Sequence, residues 1–154
     1  MPRPKEFNPD GAIEKAMHVF WHKGYEATSI EDLLVAMNLN RGSLYATFGG
    51  KRELFLKAMD RYCMDGGIGS KLSILNQPGP ALPLIRQFIG AMLEFGLSDP
   101  QRRGCLITNT VMELAPHEKD IARKVAGRLQ MAEEAFYTLL TRAKHEGELA
   151  QEKD

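Results

Sequence analysis

The chain has 154 residues, 20 Lys plus Arg against 20 Asp plus Glu, 44% hydrophobic residues and 26% charged ones. A chain of this length and composition builds its own apolar core, which excludes disordered, collagenous and staple-dependent readings. A formal net charge of zero also excludes binding of nucleic acid by bulk attraction, so any such role must come from local placement of charge.

No apolar run approaches the roughly 18 to 20 residues that a membrane span needs, and the opening MPRPKEFNPD has no apolar core for export. The expected location is the cytoplasm, with no membrane partner. Cys63 and Cys105 form no C-x-x-C arrangement, so reduced thiols are expected rather than a disulfide framework or a thiolate zinc site.

Helical periodicity runs through the chain and strand signals are nearly absent. Asn8-Pro9-Asp10 is a helix start: an oxygen-bearing N-cap, proline at the first helical position and an acid in the first turn. Ile13, Ala16, Met17 and Phe20 then share a face, and Gly24 stops the helix. Thr28-Ser29-Ile30-Glu31 has the spacing of a capping box, with Thr28 as the cap and Glu31 reaching back. Ile30, Leu33, Leu34 and Met37 follow as the inner face of a short helix. Asn38, which tolerates left-handed geometry, turns the chain. Asn40 caps a third helix, Arg41 to Thr47, with Leu44 and Phe48 turned inward.

A fourth helix begins near Lys51. Leu54, Phe55, Ala58, Met59 and Tyr62 form its buried stripe, and Gly66, Gly67 and Gly69 are expected to end it. Asn76 to Pro80 reads as a loop and as a boundary region between two helical parts. Three longer patterns follow: Ile85, Phe88, Ile89, Met92 and Leu93; then Leu106, Ile107, Thr110, Val111 and Leu114, stopped by Pro116; then Ile121, Val125, Leu129, Ala132, Phe136, Leu139, Leu140 and Ala143, closing near Gly147. The expected fold class is all-α.

Two short helices joined by a tight turn, the second polar and free of acid, have the form of a helix-turn-helix. No acid lies between Asp32 and Glu53, an interval that holds Arg41, Lys51 and Arg52. The outward residues of the third helix, Asn40, Arg41, Ser43, Tyr45 and Thr47, suit phosphates and base edges, and Gly42 permits close approach of a sugar-phosphate backbone. Thr28 and Ser29 open the preceding helix, whose N-terminus favours phosphate. Lys51 adds a point charge. On periodicity alone, a solvated face of a small bundle remains an equal reading.

Gly24-Tyr25-Glu26-Ala27-Thr28-Ser29-Ile30, Leu44-Tyr45-x-x-Phe48 and Lys51-x-x-Leu54 together resemble the amino-terminal domain of the tetracycline-repressor (TetR) family of bacterial transcriptional regulators. The resemblance implies a helix-turn-helix DNA-binding domain, taken here as residues 1–50, and a helical ligand-binding and dimerisation domain, residues 51–154. It implies a homodimer that binds a palindromic double-stranded DNA operator and is released by a small-molecule effector. It gives Thr28 and Lys51 contacts to phosphate and makes Arg41, Gly42, Ser43 and Tyr45 the recognition helix. Asn38 stands where the family commonly has Gly, and Gly50 where it often has Ser, Asn or Asp. Family members usually continue for two further helices that supply most of the dimer interface, so the second domain is expected to be incomplete at its C-terminus, this chain being either a fragment or naturally short form, or one that dimerises through other surfaces. Arg3-Pro4-Lys5 forms a short basic arm, read either as a minor-groove contact or as a merely solvated terminus.

Arg103-Gly104-Cys105-Leu106 resembles a segment that one branch of the same family places beside the effector cavity. A pocket among the last three predicted helices would draw on Met92, Phe95, Met112 and Phe136, with ordinary core packing as the equal alternative. Asn109 and Glu113, one turn apart, would orient the effector. Cys105, after Arg102 and Arg103 and near a helix N-terminus, is either an inert cysteine or a reactive one.

His18 and His22 lie four apart on one helix, but two ligands are too few for a metal site. No phosphate loop, nucleophile elbow or carboxylate dyad is evident, so neither an enzyme nor a cofactor is expected. The competing class is a helical protein-interaction or ligand-sequestering module without DNA binding.

Overall fold

A computed structural model describes residues 7–150, and the basic arm Arg3-Pro4-Lys5 lies outside them. Among the described residues all regular structure is helical, as the sequence periodicity predicts. The elements are α1 (Pro9–Lys23), α2 (Ile30–Met37), α3 (Arg41–Phe48), α4 (Lys51–Asp65), α5 (Ile68–Leu75), α6 (Ala81–Ser98), α7 (Leu106–Glu113) and α8 (Lys119–His145). None of them is long and apolar enough to cross a membrane. The chain forms two compact units, Met1–Tyr62 and Cys63–Asp154, and the division falls inside α4.

The first unit is built on a small aromatic core. Phe20 meets Phe55 edge-on at 5.0 Å, Tyr25 lies 4.9 Å from Phe55, and Trp21 meets Tyr62 edge-on at 5.0 Å. Leu33, Leu44 and Leu54 are fully enclosed beside them, each contributing about 1.5–3 kcal/mol of burial. The entire predicted stripe of α4, Leu54 through Tyr62, is buried.

Helix ends follow the capping residues closely. The Asn8 Oδ1 accepts from the Asp10 N–H at 3.0 Å, and Gly24 closes α1 at φ 82°. The start of α2 differs by one residue from the expectation. Thr28 is 1% exposed, and its hydroxyl donates to the Gly24 carbonyl at 2.6 Å. Ser29 is therefore the cap, and Asp32 rather than Glu31 completes the capping box.

In the second unit α4 ends at Asp65, where Gly66 and Gly67 break the helical path as expected, whereas Gly69 lies within a further helix. Gly67 is the N-cap of α5, a helix the sequence reading assigned to no element. A Cβ at Gly69 would lie 2.8 Å from the Cys63 carbonyl oxygen, and one at Gly66 would lie 2.2 Å from the Phe95 ring. Gly66 and Gly69 thus also allow close approach between segments, a use beyond helix termination.

Leu72 and Leu75 of α5, Leu84 and Phe88 of α6, and Ala132, Leu139 and Ala143 of α8 make one core. The loop at 76–80 lies inside this unit rather than between units. Arg142 of α8 fixes it, donating to the Gln77 and Gly79 carbonyls at 3.0 and 2.9 Å. Glu148 accepts from the Ala81 N–H at 2.7 Å, which supplies from far along the chain the cap that Pro80 cannot provide.

Four residues expected in buried stripes face solvent instead: Ile89 and Leu93 on α6, and Leu129 and Leu140 on α8. Small residues, Ala132, Ala135 and Ala143, take much of the core side of α8. Its apolar pattern is wider than the face that is covered.

Candidate nucleic-acid interface

The helix-turn-helix is assembled from local signals. Asn38 ends α2 at φ 55° and ψ 49°, the left-handed conformation expected of it, and the Leu39 N–H reaches the Leu34 carbonyl at 3.0 Å. Only Asn38, Leu39 and Asn40 separate α2 from α3. The Asn40 Oδ1 accepts from the Ser43 N–H at 2.8 Å and caps α3. At the other end Gly49 has φ 88°, and its N–H donates to the Tyr45 carbonyl at 3.0 Å. An eight-residue helix is too short to persist alone, so these two caps and the burial of Leu44 and Phe48 hold it.

With Leu44 and Phe48 anchored inward, Arg41, Gly42, Tyr45 and Thr47 are exposed around the rest of α3. Ser43 is half-buried, and with Asn40 it lines a groove of about 670 Å³ shared with Phe7, Asn8 and Lys15. Those two residues therefore lie on the flank of the helix. A Cβ at Gly42 would touch only the Asn40 Oδ1, at 3.4 Å, so the protein itself has room for a side chain there.

Lys51 is held at the start of α4 with its ammonium 4.4 Å from the centre of the Tyr25 ring. Tyr25 leans on Phe20 and Phe55, so this cation is placed by the core rather than by a floppy stem. Ser29, exposed, has its hydroxyl engaged by the Asp32 N–H at 3.0 Å. Thr28 departs from the set the sequence suggested: its buried hydroxyl serves the turn between α1 and α2 and is not presented outward.

Sequence reasoning missed two acids. Glu31 forms an ion pair with Arg41, across ten positions and two helices, where no local periodicity signals it. Asp32 accepts from Lys23 at 2.7 Å as well as from the Ser29 N–H at 2.9 Å. The Lys23 hydrogen bond, reinforced by those from Ser29, lowers its pKa to about 2.

The residues expected around an effector do not all come together. Met92 and Phe136 are half-buried against the core of the second unit, with Phe136 edge-on to Phe88 at 5.2 Å. The half-buried Phe95 lies over Gly66. Cys105 is the N-cap of α7, the helix N-terminus expected for it, and is half-buried. Glu113 is half-buried at the end of α7. Asn109 is exposed and its amide donates to the Arg103 carbonyl at 2.9 Å, so it fixes the loop before α7. Met112 is 78% exposed.

Asp99 organises that same loop. It accepts from the Arg103 backbone N–H at 2.8 Å and from the Arg103 guanidinium at 3.0 and 3.1 Å. These contacts, with Arg103 foremost, hold the Asp99 carboxyl at about 2. No group of three or more metal-ligating side chains occurs among the described residues, and His18 stacks on Trp21 at 6.2 Å.

A short, doubly capped helix set on a three-residue turn, with an acid-free polar outer face, defines a helix-turn-helix protein of the nucleic-acid-binding class. Residues 12–58 match the family described as bacterial regulatory proteins, tetR family, and residues 81–154 match the tetracyclin repressor-like C-terminal domain. The chain is 39% identical over 150 residues to the uncharacterized HTH-type transcriptional regulator YezE of Bacillus subtilis, covering 97% of this chain and 76% of that protein. It is 31% identical to the HTH-type transcriptional repressor ComR of Escherichia coli, over 96% of this chain and 70% of ComR. Among solved structures it is similar to the TetR family regulator CifR, a cysteine mutant complexed with 26-base-pair operator DNA. That similarity has a TM-score of 0.85 and 29% identity, over 99% of this chain and 79% of CifR. The chain belongs to the TetR family of transcriptional regulators. It is a DNA-binding regulator and not an enzyme.

Proposed function

We propose that this regulator is a repressor that binds a two-fold symmetric operator as a homodimer and leaves it when a small molecule binds the second unit. The observation that carries the reading is the outer face of α3, where Arg41, Gly42, Tyr45 and Thr47 stand exposed and anchored by caps at both ends. Arg41 and Tyr45 are the base-reading groups in this account, Gly42 lets the backbone approach, and Lys51 neutralises a phosphate. Asn40, Ser43, Ser29 and Thr47 supply flanking polar contacts. Thr28 acts by shaping the turn. Repression is supported by the relatives ComR and BdcR of Escherichia coli, both described as repressors.

The dimer is supported by unpartnered apolar surface. Leu82, Ile89, Leu93 and Leu97 share one face of α6, and Leu129, Tyr137 and Leu140 share one of α8; all are exposed. Two-fold pairing doubles the base pairs read, which a single eight-residue helix needs for selectivity.

The effector reading rests on Met92 and Phe136, which keep exposed surface at the edge of an apolar core, on the half-buried Phe95 beside Gly66, and on Cys105 and Glu113 of the α7 segment. Asn109 and Met112 have no part in it.

Selection of bound duplexes from a random pool, repeated with a metabolite panel, tests DNA reading and release together. The expected result is one enriched inverted repeat whose capture falls with particular metabolites. Enrichment of no sequence would reject the operator reading.

A further inference from the structure

Arg41 is the first residue of α3 and the only cation on that helix. In the free protein its guanidinium is paired with the Glu31 carboxylate of α2, and among the described residues it has no other partner. The pair is open to water, with side chains 58% and 67% exposed, so it holds Arg41 lightly. A surface built to meet a polyanion thus carries a carboxylate on its one recognition-helix cation. Resting on the DNA-binding reading above, we propose that Glu31 is a specificity-determining residue, which withholds Arg41 from indiscriminate phosphate contacts and leaves it available to a base edge.

The two kinds of DNA contact differ in what Glu31 does to them. A phosphate is itself anionic and competes for the same guanidinium, and the Glu31 charge also repels it. A guanine edge is neutral and offers two acceptors, O6 and N7, matched to the guanidinium fork. Arg has five N–H donors, so it can keep Glu31 on one nitrogen and give two others to the base. Glu31 therefore weakens sequence-independent binding more than operator binding, and it acts on the DNA through Arg41 rather than by touching it. It is a positioning residue, and neither helix needs it as a cap, because Ser29 and Asp32 close the start of α2.

The test measures binding by fluorescence anisotropy to two probes at one fixed salt concentration: the duplex selected from the random pool by the wild-type chain, and a scrambled duplex of equal length and composition. Glu31→Gln removes the charge at nearly constant shape. It is expected to tighten binding to the scrambled duplex by roughly two- to five-fold, the equivalent of one exposed ion pair, and to the selected duplex by less. The ratio of the two affinities falls accordingly. In an Arg41→Ala background the same Glu31→Gln change is expected to leave the ratio unmoved.

An unchanged ratio on Glu31→Gln alone, or an equal change in the Arg41→Ala background, overturns the proposal and makes Glu31 a general surface charge. Neither of those results touches the DNA-binding reading, which fails only if the wild-type chain prefers no duplex. Glu31→Asp keeps the charge and is expected to keep the wild-type ratio, a result that a purely structural role for Glu31 does not predict.

Discussion

Gly42 is the residue where folding and the proposed recognition make opposite demands. Its Cβ position is open apart from the Asn40 Oδ1 at 3.4 Å, so alanine fits the free protein and raises helix propensity by about 1 kcal/mol. The same methyl group stands on the face proposed to approach DNA. Gly42→Ala is expected to raise the midpoint of thermal unfolding and to weaken operator binding at least ten-fold, both read on one preparation. A variant that is more stable and binds DNA as tightly as the wild type removes Gly42 from the interface. Asp32 and Asp99 each make stability depend on pH at the acid end. Both have pKa values lowered from 3.8 to about 2 in the folded protein. Their contribution is complete above pH 4 or so and is lost as pH falls toward 2, because the unfolded chain then takes up protons that the folded one resists. Urea midpoints should fall between pH 5 and pH 2.5, and less steeply in Asp32→Asn and Asp99→Asn than in the wild type.

At the level of elements, what was legible in the sequence was what depends on a residue and its near neighbours. Asn8, Gly24, Asn38 and Asn40 cap or turn as their chemistry requires, and the stripe of α4 is buried as spaced. The capping residue of α2 was misplaced because Thr28 and Ser29 are equivalent as local caps. Burial decides between them, and burial is a tertiary fact. The helix α5 was hidden for a related reason: Gly66 and Gly67 end α4 as their local signal says, but Gly69, which reads as part of the same stop, lies inside α5 and serves packing there. Gly69→Ala tests that use. Its Cβ would meet the Cys63 carbonyl at 2.8 Å, backbone that cannot swing aside, so a loss of about 1–3 kcal/mol is expected in denaturant unfolding. An unchanged midpoint would mean that α5 does not need the close approach. Within the candidate interface, α3 and its outward residues were readable from the absence of acid and the capping pattern. Glu31 was not, because its partner lies ten positions away on another helix.

At the scale of the whole molecule, the apolar periodicity of α6 and α8 exceeds the core it covers, and the surplus appears as exposed Leu82, Ile89, Leu93, Leu97, Leu129 and Tyr137. In the proposed dimer this surface is where copies meet, which is why sequence periodicity marked Ile89, Leu93, Leu129 and Leu140 as interior. Leu93→Glu, placed at a residue 60% exposed, should leave the fold intact by circular dichroism and shift sedimentation at micromolar concentration toward the monomer. A wild type that already sediments as a monomer contradicts the dimer for this chain. The proposed effector site belongs to the least legible scale: its expected residues came from several helices, and Met92 and Phe136 lie at the core edge, whereas the Asn109 side chain on α7 bonds the preceding loop and Met112 faces solvent.

The account depends most on α3 entering DNA, and site-directed photo-crosslinking measures that contact itself. With p-benzoyl-phenylalanine at position 45 on α3, and separately at position 137 on α8, irradiation in the presence of the selected duplex should give a protein–DNA adduct from position 45 and none from position 137. Adducts from position 137 alone would contradict the assignment of α3 as the reading helix.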